Sequence, residues 1–317
     1  MKIKQILSYL LVIVMVTASV DAAAQRRTGG KSKTRTSLVK ASTGLPNALG
    51  RDTYSTIKKN VVLKYVGNDP EYINYISYDI DIKWPTDIRL AGTGGSGATA
   101  EMDNHKSRVE EIQALIVNAL LDEYGTSDIK KEIDELTTPV PNKDWKIISS
   151  IPQSAYNFEN ESLPINSKIS VKPYLSCNKW ICFELNNFDI QGNGCDGYTK
   201  WVTIPRNQAA WNRTEITLIS ALDPSNYTDN VASQYGKEIS ALIKAAAQKN
   251  GTYGWIQDGN GISIPNTIRP EKTGLSFIFY QARCSYVDVF VSYAKLKPYL
   301  DSSVYNILAG GTGWSTK

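Results

Sequence analysis

The sequence is poor in histidine, and this limits the chemistry it can support. His105 is the only histidine in 317 residues, and no Gly-x-Ser-x-Gly motif accompanies it, so no serine-type hydrolytic triad is predicted. His105 lies at the polar start of a predicted helix, which fits a surface position better than a metal ligand. Zinc sites need histidines or closely spaced cysteine pairs, so we expect no metal.

A large excess of charge is also absent. The formal net charge is +4, and part of it comes from a basic segment near the N terminus. The folded body is therefore close to neutral and lacks the excess of basic residues that is typical of nucleic-acid-binding proteins. The glycine-rich residues 91–97 lack the GxGxxG order and the Lys-Ser/Thr pair of a phosphate-binding loop. The sequence therefore predicts no nucleic-acid partner and no cofactor.

Beyond the N terminus, the sequence has no apolar run of the roughly 20 residues that a transmembrane helix needs. Residues 1–24 combine Lys2 and Lys4, a short apolar stretch and an Ala-Ala-Ala end, which is typical of a cleavable signal peptide. No cysteine follows that would make a lipoprotein. We expect a periplasmic or extracellular protein without a membrane anchor after cleavage.

Residues 25–50 begin with a basic stretch that is rich in Gly, Ser and Thr. Such a stretch cannot bury enough apolar surface to fold, so these residues are predicted to form a flexible tail. In an exported protein the positive charge would meet acidic envelope polymers. A structural envelope protein that works through this tail is one hypothesis for the function.

Four cysteines, all in the second half of the chain, form an even set, which predicts disulfides in an oxidising compartment. They are Cys177, Cys182, Cys195 and Cys284. Four cysteines allow three pairings. A tight turn at Asn178-Lys179 allows a bridge between Cys177 and Cys182 across a hairpin, and we prefer this pairing together with Cys195–Cys284.

The first half of the folded region predicts a strand and two helices. Residues 76–83 alternate between apolar and polar, which is typical of a half-buried strand, and Pro85 ends it. Residues 103–124 carry an i, i+3, i+4, i+7 apolar stripe and stop before Gly125, so they predict an amphipathic helix lying on the sheet. A second helix is predicted at residues 127–136.

The second half predicts antiparallel strands at residues 145–150, 168–175, 180–190 and 198–204, separated by Pro, Gly and Asn. A helix over residues 227–248 stops at Asn250-Gly251. Later strands are predicted at residues 262–264, 275–280 and 286–291, and a short helix at residues 293–299. The pattern indicates an α+β fold of antiparallel sheets with amphipathic helices packed on one face, arranged as two α+β units.

Aromatic side chains are abundant, with 7 Trp and 18 Tyr, and aromatics with amide side chains form sugar platforms and protein interfaces. Trp84, Trp180 and Trp201 lie in predicted strands and are expected in the core or on the sheet surface. Trp255 and Trp314 lie near glycines in predicted loops. We expect these last two to be exposed.

Residues 183–222 form an ordered series: a strand, the loop at residues 193–197, a second strand and the run Ile216-Thr217-Leu218. This series resembles the RsiV-like domain (domain of unknown function 3298), which has a glycine-rich loop, a strand and a Leu-Thr-Leu helix entry in the same order. Residues 272–279 look like that family's G-L-x-F-x-F strand, and residues 288–296 look like its E-V-T-I-P-Y-S-E-L ending.

The resemblance implies a division of the chain. Residues 141–306 would form the RsiV-like domain, residues 51–140 are similar to the PdaC/RsiV-type domain that precedes it in relatives, and residues 307–317 are expected to be a flexible C-terminal tail. This sequence departs from the family at Asp196, where the family's loop has a histidine, and the segment around Cys284 is shortened.

The resemblance also implies a function. Relatives act as the lysozyme-sensing extracytoplasmic part of an anti-sigma factor, or accompany polysaccharide deacetylase domains. They imply a non-catalytic envelope binding module for a lysozyme-like protein or a cell-wall or host glycan. The candidate ligand-binding residues lie in two loops and are Asn193, Gly194, Asp196, Gly197, Arg283 and Tyr286.

A carboxylate-dependent glycan hydrolase is the alternative hypothesis, because paired carboxylates can cleave glycosidic bonds. The sequence offers Asp79 with Asp81, and Asp189 with Asp196. Asp79 and Asp81 lie on the polar side of a predicted strand, where solvated carboxylates are normal. The favoured hypothesis is a binding protein without catalytic activity.

Overall fold

The computed structural model describes residues 52–67, 75–90, 98–139, 144–156, 163–207, 215–216, 229–257, 262, 264–265, 267–282 and 284–316. The predicted signal peptide, the basic tail and residues 91–97 lie outside the described residues. All of the described residues belong to one compact unit, Leu45–Lys317. Within the described part of the chain, no helix is long and apolar enough to cross a membrane.

Among the described residues, ten strands form two sheets. Their bounds are Thr53–Tyr65 (β1), Tyr75–Asp87 (β2), Trp145–Ile148 (β3), Ile165–Ser176 (β4), Trp180–Gln191 (β5), Gly194–Pro205 (β6), Ile268–Pro270 (β7), Gly274–Tyr280 (β8), Tyr286–Ser292 (β9) and Ser315–Thr316 (β10). The large sheet has the order β3-β1-β2-β4-β5-β6, with β10 beside β4, and the small sheet has the order β7-β8-β9. Among the strands of the described residues, only β2 and β4 pair in parallel, so the fold is α+β with mainly antiparallel sheets.

Two helices cover one face of the large sheet, α1 (Ala98–Leu121) and α2 (Ile129–Thr137). Ile112 and Ile116 of α1 are fully buried in a core shared with Ile80 and Ile82 of β2. The predicted stripe and the predicted strand alternation are therefore confirmed, and each element buries its apolar side against the other. Truncating Ile116 to alanine is expected to lower the free energy of unfolding by about 2–5 kcal/mol.

A second core lies on the opposite face at the β4–β5–β6 end. It includes α3 (Asp229–Asn250), the small sheet and two C-terminal helices, α5 (Tyr293–Leu296) and α6 (Ser302–Ala309); the short helix α4 (Tyr253–Ile256) follows α3. All four residues from Trp180 to Phe183 are buried, because β5 is covered on both faces. The predicted stop of α3 at Gly251 is confirmed, with Gly251 at φ 74°.

The C-terminal tail predicted at residues 307–317 is instead ordered structure. Ile307 and Leu308 are buried in α6, and the Trp314 ring meets Trp180 edge-on at 5.4 Å. The Asp301 side chain caps α6 by accepting hydrogen bonds from Ser303 N and Val304 N. Sequence reasoning missed this helix, and the expectation of an exposed Trp314 was wrong, because apolar burial outweighs the Gly-rich character of the segment.

Two strand boundaries also differ from prediction. β2 continues past Pro85 to Asp87, and a register irregularity against β1 accommodates this end of the strand. No strand forms at Ile262 or Ile264; the strand begins instead at Ile268, after Pro265, which lacks the N–H that a ladder needs.

The large sheet crosses the domain boundary predicted near residue 140, because β2 and β4 are neighbours in it. The division into a partner domain and an RsiV-like domain stays a prediction. Structurally, the strands on both sides of that boundary share one core beneath α1.

Candidate binding surface

The first predicted loop, residues 193–197, is mostly strand. Gln191 pairs with Gly194, so β5 and β6 are joined by the two-residue turn Gly192-Asn193. Gly192 has φ 55°, the positive value that a II′-type hairpin turn requires at its first position. The loop prediction was therefore wrong for residues 194–197, which extend the ladder instead of forming a flexible loop.

Gly197 is restricted to glycine at this place in β6. Its φ is 123°, and a Cβ there would lie 2.0 Å from the carbonyl oxygen of Asn187. No side chain fits this approach between the strands. Gly197 therefore shapes the backbone, while its neighbour Asp196 presents an exposed carboxylate at the end of the sheet.

A disulfide between Cys195 and Cys284 joins the hairpin to the turn between β8 and β9, 89 residues away in sequence. It brings together the two segments that the sequence offered as ligand-binding loops. Cys284 has φ 55°, which is uncommon for a residue with a side chain. Arg283 lies outside the described residues.

The predicted bridge between Cys177 and Cys182 is absent, and both are buried thiols. Cys182 pairs with Leu175, and Cys177 N donates to Trp180 O, so the two cysteines are diagonal neighbours on the hairpin. Diagonal positions are about 7–8 Å apart, beyond the usual Cα separation of a disulfide. Burial raises the pKa of Cys182 to about 12, so its thiol stays protonated at neutral pH.

Exposed aromatic side chains surround the disulfide. We call Trp255, Tyr280 and Tyr286 the aromatic rim; they are 68%, 44% and 37% exposed. The exposure of Trp255 confirms the sequence prediction. Tyr280 and Tyr286 are directly opposed on β8 and β9, and the side-chain amide of Gln281 donates to Trp255 O at 3.0 Å. Trp255 therefore lies beside the β8–β9 turn that carries the two tyrosines.

Several contacts fix the aromatic rim in place. The Tyr280 hydroxyl donates to Thr199 O, and the Tyr286 ring meets the buried Trp201 ring edge-on at 5.3 Å. Gln281 N donates to Ser285 O at 2.8 Å and closes the β8–β9 turn. With the disulfide, these contacts hold the Tyr280 and Tyr286 rings in place, and such preorganisation lowers the entropic cost of binding.

Behind the rim, a polar cluster joins the small sheet to β6. The Arg269 guanidinium lies 5.2 Å from the ring centres of both Tyr174 and Trp201, and it forms ion pairs with Glu271 at 2.8 Å and Asp288 at 2.6 Å. The carboxylates of Glu271 and Asp288 balance the charge of Arg269, so this cluster supports the rim and leaves no unpaired charge on Arg269. Nothing in the sequence pattern pointed to Arg269.

A second polar group of residues crosses the other face of the large sheet near Asp196. The strand registers place Tyr78 of β2, Ser167 of β4, Asp189 of β5 and Asp196 of β6 side by side, and we call these four the polar row. Burial, with the charge of Asp189, raises the pKa of Tyr78 to about 12. Sequence reasoning paired Asp189 with Asp196, but it did not find Ser167 or Tyr78.

Within the polar row, side-chain exposure increases from Ser167 through Asp189 to Asp196. Ser167 is 1% exposed, Asp189 is half-buried and Asp196 is exposed. Asp196 accepts a hydrogen bond from Gly197 N at 2.9 Å. Within the described part of the chain, Ser167 Oγ and Asp189 Oδ1 are both buried and have no hydrogen-bond partner. Buried polar atoms without partners are rare in native proteins.

A third polar group, the Arg206 cluster, lies at the opposite end of β6. The Arg206 side chain, 1% exposed, donates to both carboxylate oxygens of Asp52 at 2.7 and 2.5 Å. It also donates to Cys177 O at 2.7 Å and Arg89 O at 2.6 Å. Burial would raise the pKa of Asp52, but the hydrogen bonds and charge of Arg206 bring it below its ordinary value.

The other carboxylates considered from sequence are placed less favourably for chemistry. Asp79 is exposed, and Asp81 lies 3.5 Å from Lys58 on the same solvent-facing side of β2.

Other titratable groups lie elsewhere in the fold. Burial raises the pKa of Glu215 to about 7, with the charge of Lys200 opposing the rise. His105 lies 2.6 Å from Asp87, as a surface pair. The described residues contain no group of three or more His, Cys, Asp or Glu side chains suited to a metal.

No protein-family model matches the chain, and no curated protein matches it significantly. Solved structures that are similar to it include two DUF3298 family proteins. A DUF3298 family protein from Pseudomonas aeruginosa has a TM-score of 0.46 and 10% sequence identity, covering 80% of this chain and 96% of that one. A DUF3298 family member from Bacteroides fragilis has a TM-score of 0.44 and 12% identity, covering 83% of this chain and 99% of that one.

Proposed function

We propose that this protein is an exported, non-catalytic binding protein of the cell envelope and that the aromatic rim is its binding surface. The observation that carries the proposal is the set of three exposed aromatic side chains held around the Cys195–Cys284 disulfide. Aromatic rings concentrate binding energy at interfaces, and rigid rings do so at low entropic cost.

Export is supported by two independent features. The N-terminal sequence has the composition of a signal peptide, and disulfides persist mainly in oxidising compartments. Release into the periplasm or medium would leave the rim accessible to envelope and host molecules.

For the ligand class, we propose a lysozyme-like protein before a glycan, on the resemblance of the sequence motifs to those of the RsiV-like family. A protein partner also fits this surface, because Tyr280 and Tyr286 are exposed at the paired ends of β8 and β9 and Trp255 is exposed on a short helix. A cell-wall or host glycan, which could stack on the exposed Trp255 ring, is the other outcome that the experiment below distinguishes.

The test is binding of the mature protein, residues 25–317, to immobilised lysozyme and to purified peptidoglycan. We expect Trp255→Ala and Tyr286→Ala to weaken binding to lysozyme by at least tenfold, as truncation of central aromatic contacts does. Ile147→Ala is the matched control, because Ile147 is 60% exposed on β3 at the far edge of the sheet. Wild-type binding to neither material would contradict the proposal.

The hydrolase alternative is favoured by one observation, the direct cross-strand opposition of Asp189 and Asp196. Directly opposed residues of an antiparallel pair have Cβ atoms about 4.5–5.5 Å apart. The two carboxyl groups of retaining glycosidases are about 5–5.5 Å apart. Release of reducing ends from peptidoglycan or host glycans, lost in Asp196→Asn while binding is kept, would favour the enzyme. Loss of binding in the rim variants with no hydrolysis in the wild type favours the binding protein.

A further inference from the structure

The polar row places two carboxylates opposite each other on neighbouring strands. Asp189 and Asp196 face each other directly across β5 and β6, and like charges in this position are destabilising. The neighbouring Ser167 hydroxyl is buried with no partner in the described chain, as is Asp189 Oδ1. A buried polar atom that is left unpaired destabilises the folded state.

The surroundings make this end of the sheet more negative. Asn187 and Tyr198, in the adjacent register row, donate to Leu120 O at 2.9 and 3.2 Å. The C-terminal end of α1 therefore lies beside the polar row, and a helix C terminus carries a partial negative charge. Lys200 offsets part of it by donating to Ala119 O at 3.2 Å.

A buried water would satisfy only half of this arrangement. It could donate to Asp189 Oδ1 and accept from Ser167 Oγ, but it would leave the two carboxylate charges opposed. A cation between them would satisfy the oxygen lone pairs and remove the repulsion together. The exposed carboxylate of Asp196 gives an ion a route from solvent to the buried hydroxyl.

We propose that the polar row is a calcium site, in which Asp189 and Asp196 supply carboxylate oxygens and Ser167 supplies its hydroxyl. Ca²⁺ accepts six to eight oxygen ligands in irregular geometry at about 2.3–2.6 Å, whereas Mg²⁺ requires a near-ideal octahedron. Opposed carboxylates of a β-ladder are close enough to share such an ion. Waters complete the coordination.

The number of charged ligands sets the affinity class. With two carboxylates instead of the three or four of tight sites, the dissociation constant is expected at about 0.1–1 mM, the range of extracellular calcium modules. Such a site would be filled outside the cell and empty in a cytosol. It is separate from the aromatic rim, so either proposal can fail without the other.

The test uses terbium, which replaces Ca²⁺ and emits when excited through a nearby tyrosine such as Tyr78. The full mature chain is titrated with TbCl3 and then with CaCl2. We expect saturable emission that Ca²⁺ displaces and that MgCl2 at the same ionic strength leaves largely unchanged. Asp189→Asn should abolish it, and Ser167→Ala should weaken terbium binding several-fold.

Asp79→Asn is the matched control, since Asp79 adjoins Tyr78 in sequence but is an exposed carboxylate on the opposite face of β2. This variant should bind terbium like the wild type. Circular dichroism of each variant separates misfolding from loss of the site, and Ser167→Ala serves if Asp189→Asn does not fold. Absence of saturable emission in the wild type, or equal emission in folded Asp189→Asn, would overturn the proposal.

Discussion

The Arg206 cluster and the polar row are two polar groups at opposite ends of β6, and they differ in how their charges are matched. Arg206 meets a carboxylate and two backbone carbonyls, so its charge and most of its donors are satisfied within the chain. The polar row opposes two carboxylates and leaves Ser167 Oγ and Asp189 Oδ1 unpaired among the described residues.

This difference separates a structural role from a ligand-binding one. A buried charge that is fully paired needs nothing from solvent and joins distant segments of the chain. Buried polar atoms without partners persist when another species completes them or when function requires them. The Arg206 cluster therefore fits a structural role, and the polar row is the site that we propose for a bound cation.

The largest effect is expected from Arg206→Ala, which would break the self-sufficient cluster. Asp52 would lose its ion-pair partner and keep the hydrogen bond from Arg89 N, and two carbonyls would lose a donor. Removing one member of a buried pair costs about 3–5 kcal/mol, measured as the free energy of unfolding in urea. A loss below about 1 kcal/mol would show that the cluster is not a structural centre.

Removing the disulfide would loosen the exposed end of the polar row and leave the Arg206 cluster intact. The double variant Cys195→Ser, Cys284→Ser is expected to lose about 2–4 kcal/mol, because the bridge closes a long loop. Thermal unfolding measures the loss. Cys177→Ala is the control for a buried thiol, and alkylation after unfolding without reductant should label two cysteines, not none or four.

The pH dependence of unfolding tests whether Asp52 stabilises the protein as the ionised partner of Arg206. Its folded-state pKa lies below the ordinary value of 3.8, so its stabilisation is present above that value and is lost as pH falls through the folded pKa. Asp52→Asn should destabilise the protein at pH 7 by about 1.5–3 kcal/mol, as loss of a charged hydrogen bond does. The free energy of unfolding of Asp52→Asn should also fall less steeply below about pH 4 than that of the wild type. An equally steep fall in both proteins would contradict this.

The smallest effect has the opposite sign. Without added cations, Asp189→Asn should stabilise the protein by about 0.2–1 kcal/mol, because it removes the repulsion with Asp196. Urea unfolding in the presence of a chelator measures this gain, and Asp79→Asn should give no comparable gain. Destabilisation of a folded Asp189→Asn protein would mean that the carboxylate has a structural partner.

Sequence periodicity was sufficient for elements whose apolar residues repeat regularly. The stripe of α1 and the alternation in β2 determine their buried faces, as Ile112, Ile116 and Ile80 show. α6 was missed because it is short and Gly-rich sequence follows it, although Asp301 at its start is a recognisable cap.

The candidate sites were only partly predictable, because strand register decides which side chains meet. The sequence identified Asp189 and Asp196 as a pair and Trp255 as exposed, but nothing local to Ser167 indicates that β4 places it beside Asp189. Likewise, the spacing of Cys177 and Cys182 suggested a bridge, and only their diagonal register excludes it. Pairing register depends on contacts across the whole sheet.

The most direct test of the contrast between the two polar groups is a high-resolution crystal structure of the mature protein grown with calcium. The account predicts a cation bound by oxygens of Asp189, Asp196 and Ser167 at about 2.3–2.6 Å, with the Arg206 cluster unchanged and free of any added ion. A polar row in which Ser167 Oγ pairs directly with Asp189, or with a water alone, would contradict it.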